Sequence, residues 1–403
     1  MTVLVADTFS EAARARLAGA GHAVVYEPGL GGDALATALA AHAPQALVVR
    51  STRVDGAALD AAPSLELVVR AGAGVDTIDV EGASRRGIYV ANCPGKNAAA
   101  VAELAFGLIL ALDRRIADNV AAARAGRWDK KGFAAARGLR GRTLGLLGLG
   151  HIGREMATRA RAFGMPVVAW SRSLTDEAAA ELGIARAETP ADVARRADVL
   201  SVHLASTPAT RGLVSAELLA ELPEGAYVVN TSRADVVDEQ AVAAAMAARG
   251  VRYATDVPAG EPADKQGDFA HPLAADAVIT HHVGASTDEA TEAIGQEAAR
   301  VLLAYAETGR VPNAVNLAEQ TPATHLLTVR HLDRVGVLAG IFEAVREAGW
   351  NVHEMENLVF AGAEAAVARI RFDALGAGGE PDPAVLETIR AGAHVLNASA
   401  IAL

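Results

Sequence analysis

Short apolar runs alternate with alanine-rich helical runs along most of this 403-residue chain. Residues 1–95 contain five runs typical of buried parallel strands: TVLVAD, HAVVYE, ALVVRS, LELVVRAG and GIYVAN. A second series extends from Arg142 to about Val283, with the runs RTLGLLG, PVVAWS, DVLSVHL, AYVVNTS, VRYATDV and DAVITHH. Two consecutive βα series predict an α/β protein with two doubly wound parallel-sheet domains and a cleft between them.

Two long helices and a change of pattern set the predicted domain boundaries. A helix beginning at Asn97 is long enough to cross between the two domains, and the helix at 288–308 is long enough to cross back. After 316–324 the pattern becomes β-α-β-β-α-β, which predicts a ferredoxin-like unit without a catalytic cluster. The predicted parts are a substrate-binding domain (1–96 and 288–315), a Rossmann-type nucleotide-binding domain (97–287), a linker (316–324) and a C-terminal unit (325–403).

Composition argues against several classes of protein. The formal charge of −11 is spread without a basic stripe, so we expect no nucleic-acid partner. The single cysteine, Cys93, excludes an intrachain disulfide and indicates a reducing compartment. The run at 98–112 is too short to span a bilayer and contains Glu103, and the opening MTVLVADTF is typical of a strand, not an export signal. We expect a cytoplasmic protein without a membrane partner or a metal site.

A glycine-rich turn predicts a dinucleotide site. Gly148, Gly150 and Gly153 form a G-x-G-x-x-G turn between a strand and a helix, the context that makes this motif specific. Gly148 permits the tight turn, Gly150 admits the pyrophosphate, and Gly153 allows close packing of helix on strand. The free N–H groups that follow, which begin at His151 and Ile152, attract an anion.

The residues at the end of the next strand leave the choice of dinucleotide open. Ser171 and Arg172 stand where a carboxylate would hold the ribose of NAD and repel the 2′-phosphate of NADP. Arg172 could pair with that phosphate. Alternatively it is solvated or stacks on adenine, while Ser171 serves NAD.

Three polar residues near the carboxyl ends of late strands predict an active site. Arg233 follows YVVNTS, Glu261 lies in the loop PAGEP, and His282 ends AVITHH. Arginine binds a carboxylate through two N–H groups, histidine takes a hydroxyl proton as hydride leaves, and glutamate orients the imidazole. The set predicts oxidation of a 2-hydroxy acid. His281 is the competing base, and strand alternation would point it away from the side that His282 faces.

Over nearly the first 315 residues the chain resembles the D-isomer-specific 2-hydroxyacid dehydrogenases. The motifs that carry the resemblance are VRST, RAGAGVDTIDV, NCPGKNAAAVAELAFGLILAL, GLGHIG, HLASTPATRGLV, NTSRADVVDE, DVPAGEP and HHVGAST. The resemblance implies that Arg233, Glu261 and His282 are catalytic and that Asp256 contacts the nicotinamide. It implies NAD as the cofactor, with NADP not excluded, and a homodimer or homotetramer.

The resemblance also assigns further positions. It adds Thr207 and Thr231 to the cofactor site. The positions that it assigns to substrate binding are Arg50, Ser51, Ala73, Gly74, Asn97 and Lys130. Arg50, Ser51 and Lys130 suit a phosphorylated 2-hydroxy or 2-oxo acid, although Lys130 and Lys131 could equally be an ordinary solvated pair.

The C-terminal unit resembles an ACT domain through VRHLDRVGVLAGIF. This implies an amino-acid effector near His331 and Asp333, although some effector-binding relatives have Asn in place of Asp333. Another departure is Asp235, which places a negative charge near a site for anions. Two alternatives remain: an NADPH-dependent hydroxypyruvate or glyoxylate reductase of the same family, and a non-catalytic, dinucleotide-sensing corepressor.

Overall fold

The computed structural model describes residues 1–262, 267–318, 320–374 and 381–403. The chain divides into two compact units, Met1–Asn316 and Leu317–Leu403. The first unit holds two parallel sheets with helices on their faces, and the second holds an antiparallel sheet. The predicted fold class is confirmed.

The first sheet has the strand order β2-β1-β3-β4-β5, and all its neighbours are parallel. Its strands are β1 (Thr2–Val5), β2 (Ala23–Tyr26), β3 (Ala46–Val49), β4 (Leu67–Arg70) and β5 (Tyr89–Ala91). The helices between them are α1 (Glu11–Gly19), α2 (Gly32–His42), α3 (Gly56–Asp60) and α4 (Val80–Arg85). The central strands β1, β3 and β4 are buried on both faces, which explains their continuous apolar runs.

Two long helices join the parallel-sheet domains, as predicted. Helix α5 (Ala98–Arg114) packs Phe106 and Ile109 into the core of the second sheet. Arg115, in the left-handed region at φ 49°, ends α5 and precedes α6 (Ile116–Arg124). Helix α12 (Asp288–Thr308) returns to pack Ile294 and Ala298 against the first sheet.

The second sheet has the order β12-β11-β10-β9-β6-β7-β8. Its strands are β6 (Leu144–Leu147), β7 (Val167–Trp170), β8 (Ala185–Arg186), β9 (Val199–Val202), β10 (Tyr227–Asn230), β11 (Arg252–Thr255) and β12 (Val278–Ile279). Its helices are α7 (His151–Ala162), α8 (Asp176–Leu182), α9 (Pro190–Arg196), α10 (Ala216–Ala220), a 3₁₀ turn (Ala234–Val236) and α11 (Glu239–Arg249). Strand order reverses at β6, so the ligand crevice lies beyond its carboxyl end, where the glycine turn begins. The two-residue β8 was not predicted, since it is too short to show a pattern.

The second unit has the predicted β-α-β-β-α-β order. Its elements are β13 (His325–Leu332), α13 (Val337–Glu347), β14 (Trp350–Val359), β15 (Ala365–Ala374), α14 (Pro383–Arg390) and β16 (Val395–Ala402). The antiparallel strand order is β14-β15-β13-β16. Trp350 stacks on Phe372 at 4.3 Å between ring centroids, within a core that includes Leu327 and Ile341.

Both ends of the predicted linker are tied to a folded unit. Asn316 accepts a hydrogen bond from Val90 N at 2.9 Å and donates to Ile88 O at 2.8 Å, so it belongs to the first unit. Thr324 N donates to Asp373 Oδ1 at 2.9 Å in the second unit. Within the described ranges, no helix has the length and apolar character needed to cross a membrane.

Candidate active site

His282 and Glu261 form a hydrogen-bonded pair at the carboxyl edge of the second sheet. The Nδ1 atom of His282 lies 2.8 and 3.0 Å from the two carboxylate oxygens of Glu261. A carboxylate only accepts, so Nδ1 carries the hydrogen and Nε2 keeps a lone pair. Both side chains are about half exposed. The pair can therefore take a proton at Nε2 while the carboxylate holds the ring in one tautomer.

The prediction that strand alternation separates His281 from His282 is wrong. Strand β12 ends at Ile279, so neither histidine belongs to it. His282 has φ 52°, in the left-handed region, and its backbone N donates to Asp256 O at 2.8 Å. The turn, not the pleat of a strand, directs the side chain of His282 toward Glu261.

Asp256 fixes the backbone of this turn. Its carboxylate is buried and accepts hydrogen bonds from Thr280 Oγ1 at 2.6 Å, Val283 N at 3.0 Å and Gly284 N at 2.8 Å. These bonds hold the residues on both sides of His282. The contact of Asp256 with a nicotinamide stays a prediction.

Arg233 follows β10 and reaches across to the first domain. Asn230 Nδ2 donates to Arg233 O at 2.9 Å and so fixes its backbone. The guanidinium donates from Nε and Nη2 to Asp76 Oδ2, at 2.9 and 2.8 Å. A substrate carboxylate must share or displace this contact. Sequence reasoning missed Asp76.

A second arginine, also missed, lies beside Arg233. Arg70 ends β4, and its Nη1 lies where a side chain on Gly72 would be, just as Arg233 Nη2 lies beside Gly74. Burial and the nearby charge of Arg233 lower the pKa of the Arg70 guanidinium below its ordinary value. Two guanidinium groups therefore flank the predicted carboxylate-binding backbone at Ala73 and Gly74.

A repeated tetrapeptide signals Arg70 in the sequence. Leu47–Arg50 and Leu67–Arg70 both read LVVR, and strands β3 and β4 are adjacent and parallel. Strands of the same sequence in nearly the same register bring their terminal arginines to the same edge. Arg50 accordingly adds a third positive charge, since its own charge also lowers the pKa of Arg70.

Asp7 at the end of β1 holds the segment that carries Arg50. Its carboxylate accepts from the backbone N of Arg50, Ser51 and Thr52 at 2.7, 3.0 and 2.8 Å. Burial favours a higher pKa for Asp7, but these donors outweigh it and hold the pKa below the ordinary value. The Arg50 guanidinium donates to Ala285 O at 3.3 Å, three residues after His282.

The glycine turn has the geometry that a dinucleotide needs. A side chain on Gly148, at φ 96°, would clash with His203 O, and one on Gly153 would clash with Gly148 O. Around Gly150 nothing lies within 4 Å of where a Cβ would be, and no side chain caps α7 there. Thr231 follows β10, and its Oγ1 is buried and has no hydrogen-bond partner within the described part of the chain. An open helix N-terminus and an orphaned hydroxyl fit a bound dinucleotide.

The other predicted cofactor residues lie at the start of α7 and after the strands β7 and β9. His151 and Ile152 open helix α7, and Thr207 bonds through its N and Oγ1 to Thr210 Oγ1, both at 2.9 Å. Ser171 is half-buried directly after β7, and Arg172 is exposed. Among the described residues, no ion pair occupies the guanidinium of Arg172.

The charge of Asp235 is compensated locally. Its carboxylate accepts from Ser206 Oγ at 2.6 Å and from Arg211 Nε at 3.3 Å. The Ser206 hydroxyl, with Arg211, lowers the pKa of Asp235, so it is a paired carboxylate. Its charge faces Arg211, which removes the conflict with an anion site.

One residue predicted for substrate binding, Lys130, is not brought to the arginines of the site. Lys130 is exposed, in a turn after the 88% exposed Trp128, and no contact in the described structure joins it to Arg50 or Arg233. Asn97 is half-buried at the start of α5.

The two residues predicted for an effector lie in the second unit. His331 is 1% exposed, with Nδ1 bonded to Leu332 O at 2.8 Å and Nε2 lying 3.0 Å from Asn357 Oδ1. Neither ring nitrogen is free for an effector in this arrangement. Asp333 is half-buried, and its backbone N donates to Glu364 O.

Comparison with known proteins agrees with this site. Residues 106–284 match the domain described as D-isomer specific 2-hydroxyacid dehydrogenase, NAD binding domain. A D-3-phosphoglycerate dehydrogenase from Mycobacterium tuberculosis is 41% identical over 302 residues, which are 73% of this chain and 56% of the relative. One from Methanocaldococcus jannaschii is 38% identical over 274 residues, 67% of this chain and 51% of the relative. The chain thus spans about half the length of these curated relatives.

Two solved structures each match close to four-fifths of this chain. The TT0316 protein from Thermus thermophilus is 33% identical, with a TM-score of 0.69 over 78% of this chain and 100% of that protein. An NAD⁺-bound 3-phosphoglycerate dehydrogenase from Entamoeba histolytica is 28% identical, with a TM-score of 0.66 over 79% of this chain and 99% of that one. Fold and site define a two-domain α/β protein with a glycine-rich dinucleotide turn between β6 and α7 and a histidine–glutamate pair at the carboxyl edge of the same sheet. The chain belongs to the D-isomer-specific 2-hydroxyacid dehydrogenase family.

Proposed function

We propose that this chain is a D-3-phosphoglycerate dehydrogenase, which oxidises 3-phospho-D-glycerate to 3-phosphohydroxypyruvate with NAD in the first step of L-serine biosynthesis. The observation that carries the proposal is a set of three arginines: Arg70 and Arg233 lie beside Gly72 and Gly74, and Arg50 follows β3, the strand next to the one that Arg70 ends. A carboxylate alone needs one guanidinium, whereas a substrate that also bears a phosphate needs further cations. The names of the curated relatives agree with this reading.

Each residue of the proposed site has a separate role in the oxidation of the substrate hydroxyl group. Arg233 and the backbone N–H groups of Ala73 and Gly74 hold the carboxylate and polarise the C2 oxygen. His282 Nε2 takes the hydroxyl proton, and Glu261 stabilises the resulting imidazolium through Nδ1–H. Bound NAD would supply the hydride acceptor. Closure of the two parallel-sheet domains would exclude water around the reacting carbon.

The test compares kcat/KM for phosphohydroxypyruvate and hydroxypyruvate in the reductive direction. We expect a preference of at least a hundredfold for the phosphorylated acid, equivalent to about 2.7 kcal/mol of transition-state stabilisation. The variants Arg50→Leu and Arg70→Leu should each reduce this preference at least tenfold. A wild-type enzyme without preference would rule out phosphate recognition and leave a general 2-hydroxyacid reductase.

A second candidate is supported by the residues after β7. Ser171 and the exposed Arg172 suit the 2′-phosphate of NADP, as in a hydroxypyruvate or glyoxylate reductase that uses NADPH. NADH and NADPH are therefore tested in parallel. A preference for NADPH that Arg172→Ala abolishes, together with equal use of both acids, would favour this second function.

Further parts of the proposal concern assembly and regulation. The enzyme is cytoplasmic and forms a homodimer or homotetramer, and its C-terminal unit is an ACT domain that responds to an amino acid. Titration with L-serine tests this response, and unchanged activity up to high millimolar serine would leave the unit as an assembly module. Because both ring nitrogens of His331 already have partners, Asp333 is the residue to substitute first.

A further inference from the structure

Glu239, outside the catalytic pair, binds hydrogen-bond donors from three separate segments. It is the first residue of α11, and its side chain is almost buried. Oε1 accepts from the hydroxyl of Tyr253 in β11 at 3.1 Å. Oε2 accepts from Ala259 N at 3.2 Å and faces His271 Nε2 at 2.9 Å. Burial removes this carboxylate from water, and an unpaired buried charge is costly. The three donors must therefore replace the hydrogen bonds that water would supply.

The tautomer of His271 is determined by its neighbours. Leu273 N donates to Nδ1 at 3.2 Å, so Nδ1 has no hydrogen and Nε2–H donates to Glu239. The ring is almost fully buried and stacks on Phe269, with ring centroids 5.7 Å apart. Leu273 is itself part of the core under the second sheet. His271 is therefore a fixed donor attached to the core.

Two of the three donors lie on either side of Glu261 in the chain. Ala259 precedes it by two residues and His271 follows it by ten. The side chain of Glu261 is half exposed, and its hydrogen bonds to other described residues go to His282 Nδ1. Its place in front of His282 therefore depends on how the segment that carries it is held. Glu239 supplies that hold, because it binds Ala259 directly.

We propose that Glu239 and His271 are positioning residues that hold Glu261 against His282 Nδ1. This inference rests on the proposed dehydrogenase function, in which Glu261 orients the base. Within the part of the chain that the structure describes, neither Glu239 nor His271 forms a hydrogen bond or ion pair with the imidazole of His282. Their effect on turnover passes through Glu261 alone.

The test uses the full chain with the variants Glu239→Leu and His271→Leu. Leucine has no acceptor for Ala259 N and His271 Nε2–H, which both donate to Glu239 Oε2, whereas a glutamine could accept both through its one carbonyl oxygen. We expect each variant to lower kcat about tenfold, part of the 10²–10⁴ that a positioned base contributes, and to leave KM within about twofold. His271→Gln, which places an amide N–H near the position of Nε2, should restore most of the loss.

A control and a double-mutant cycle separate positioning from a general structural effect. Tyr253→Phe removes a donor to the same carboxylate on the side away from Glu261, so it should lower stability but keep kcat within about twofold of wild type. In a Glu261→Gln background, Glu239→Leu should change kcat by less than about twofold. An undiminished tenfold loss in that background would overturn the proposal. If Glu239→Leu does not fold, His271→Leu carries the same cycle.

A readout independent of activity distinguishes failure of this inference from failure of the proposed function. Amide hydrogen exchange over 257–261 should accelerate at least tenfold in Glu239→Leu and His271→Leu, and remain unchanged in Tyr253→Phe. If wild type shows no turnover with any 2-oxo acid, the proposed function fails, and exchange still decides whether Glu239 holds this segment. Unchanged exchange in both variants would refute the inference whatever the activity.

Discussion

At the residue scale, the chemistry of this chain depends on side chains fixed by few, well-directed contacts. His282 has one defined tautomer because Glu261 accepts from Nδ1. Arg233 is aimed by Asn230 and Asp76, and Arg50 is aimed by the backbone bonds of Asp7. Substitutions at these positions therefore separate loss of chemistry from loss of structure.

His282→Ala should remove the general base and leave the fold intact, since the side chain is half exposed and bonds only to Glu261 within the described structure. We expect kcat to fall about 10²–10⁴-fold while the Kd for NADH stays within about threefold. Steady-state kinetics and NADH fluorescence titration measure the two quantities. A corepressor would instead keep its partner binding unchanged in this variant, and turnover close to wild type would contradict the assignment of the base.

Asp7 should make stability depend on acidity. Its pKa is held below the ordinary carboxyl value of 3.8, so its contribution is fully present above that pH and is lost as pH falls through the folded-state pKa. At pH 7, Asp7→Asn should destabilise the first unit by about 1.5–3 kcal/mol, the range for hydrogen bonds to a charged group.

Urea unfolding of wild type and Asp7→Asn at pH 7, 5 and 3 measures this effect. The difference between the two proteins should persist at pH 5 and shrink toward pH 3 and below. Asp60→Asn is the matched control, because Asp60 forms only an exposed ion pair with Arg86. A difference that stays constant to pH 2 would show that the charge of Asp7 is not what stabilises the segment.

At the element scale, the turn from β6 to α7 separates glycines needed for packing from one needed for the ligand. Gly148 and Gly153 are closed in by backbone oxygens, whereas Gly150 faces open space. The three glycines of the motif are therefore expected to respond differently to substitution by alanine, in stability for Gly153 and in dinucleotide binding for Gly150.

Gly153→Ala should destabilise the protein by about 1–3 kcal/mol, because its Cβ would overlap Gly148 O. Gly150→Ala should change stability by less than about 1 kcal/mol, since φ is −74° and no atom lies within 4 Å of its Cβ. That methyl group would instead occupy the approach to α7 and weaken NADH at least tenfold. Thermal unfolding with and without NADH tests both, and equal NADH binding by Gly150→Ala and wild type would contradict the assigned site.

At the scale of the whole molecule, the two units have separate cores. The core of the second unit includes Leu327, Ile370 and Phe372. The first unit ends at Asn316, whose side chain accepts a hydrogen bond from Val90 N in strand β5. A separate core is the physical condition for independent folding.

A chain ending at Asn316 should therefore retain kcat/KM within about threefold of wild type. A matched chain ending at Asn313 loses the bonds of Val315 N to Val90 O and of Asn316 to Ile88 O, and should unfold at lower temperature. Turnover and thermal unfolding of both truncations test this. Inactivity of a folded 1–316 chain would show that the second unit is required for catalysis.

The sequence by itself determined the fold class and the glycine turn, and it predicted Arg233, Glu261 and His282 as the catalytic residues. These follow from local patterns: apolar runs of strand length, glycines at set spacing, and polar residues at strand ends. Only the tertiary structure decided how the side chains meet. Asp76 pairs with Arg233 across 157 residues of sequence, and Arg70 reaches the site by the adjacency of β3 and β4. The left-handed turn at His282 and the contact of Glu239 with Ala259 and His271 likewise depend on distant segments, which no local pattern specifies.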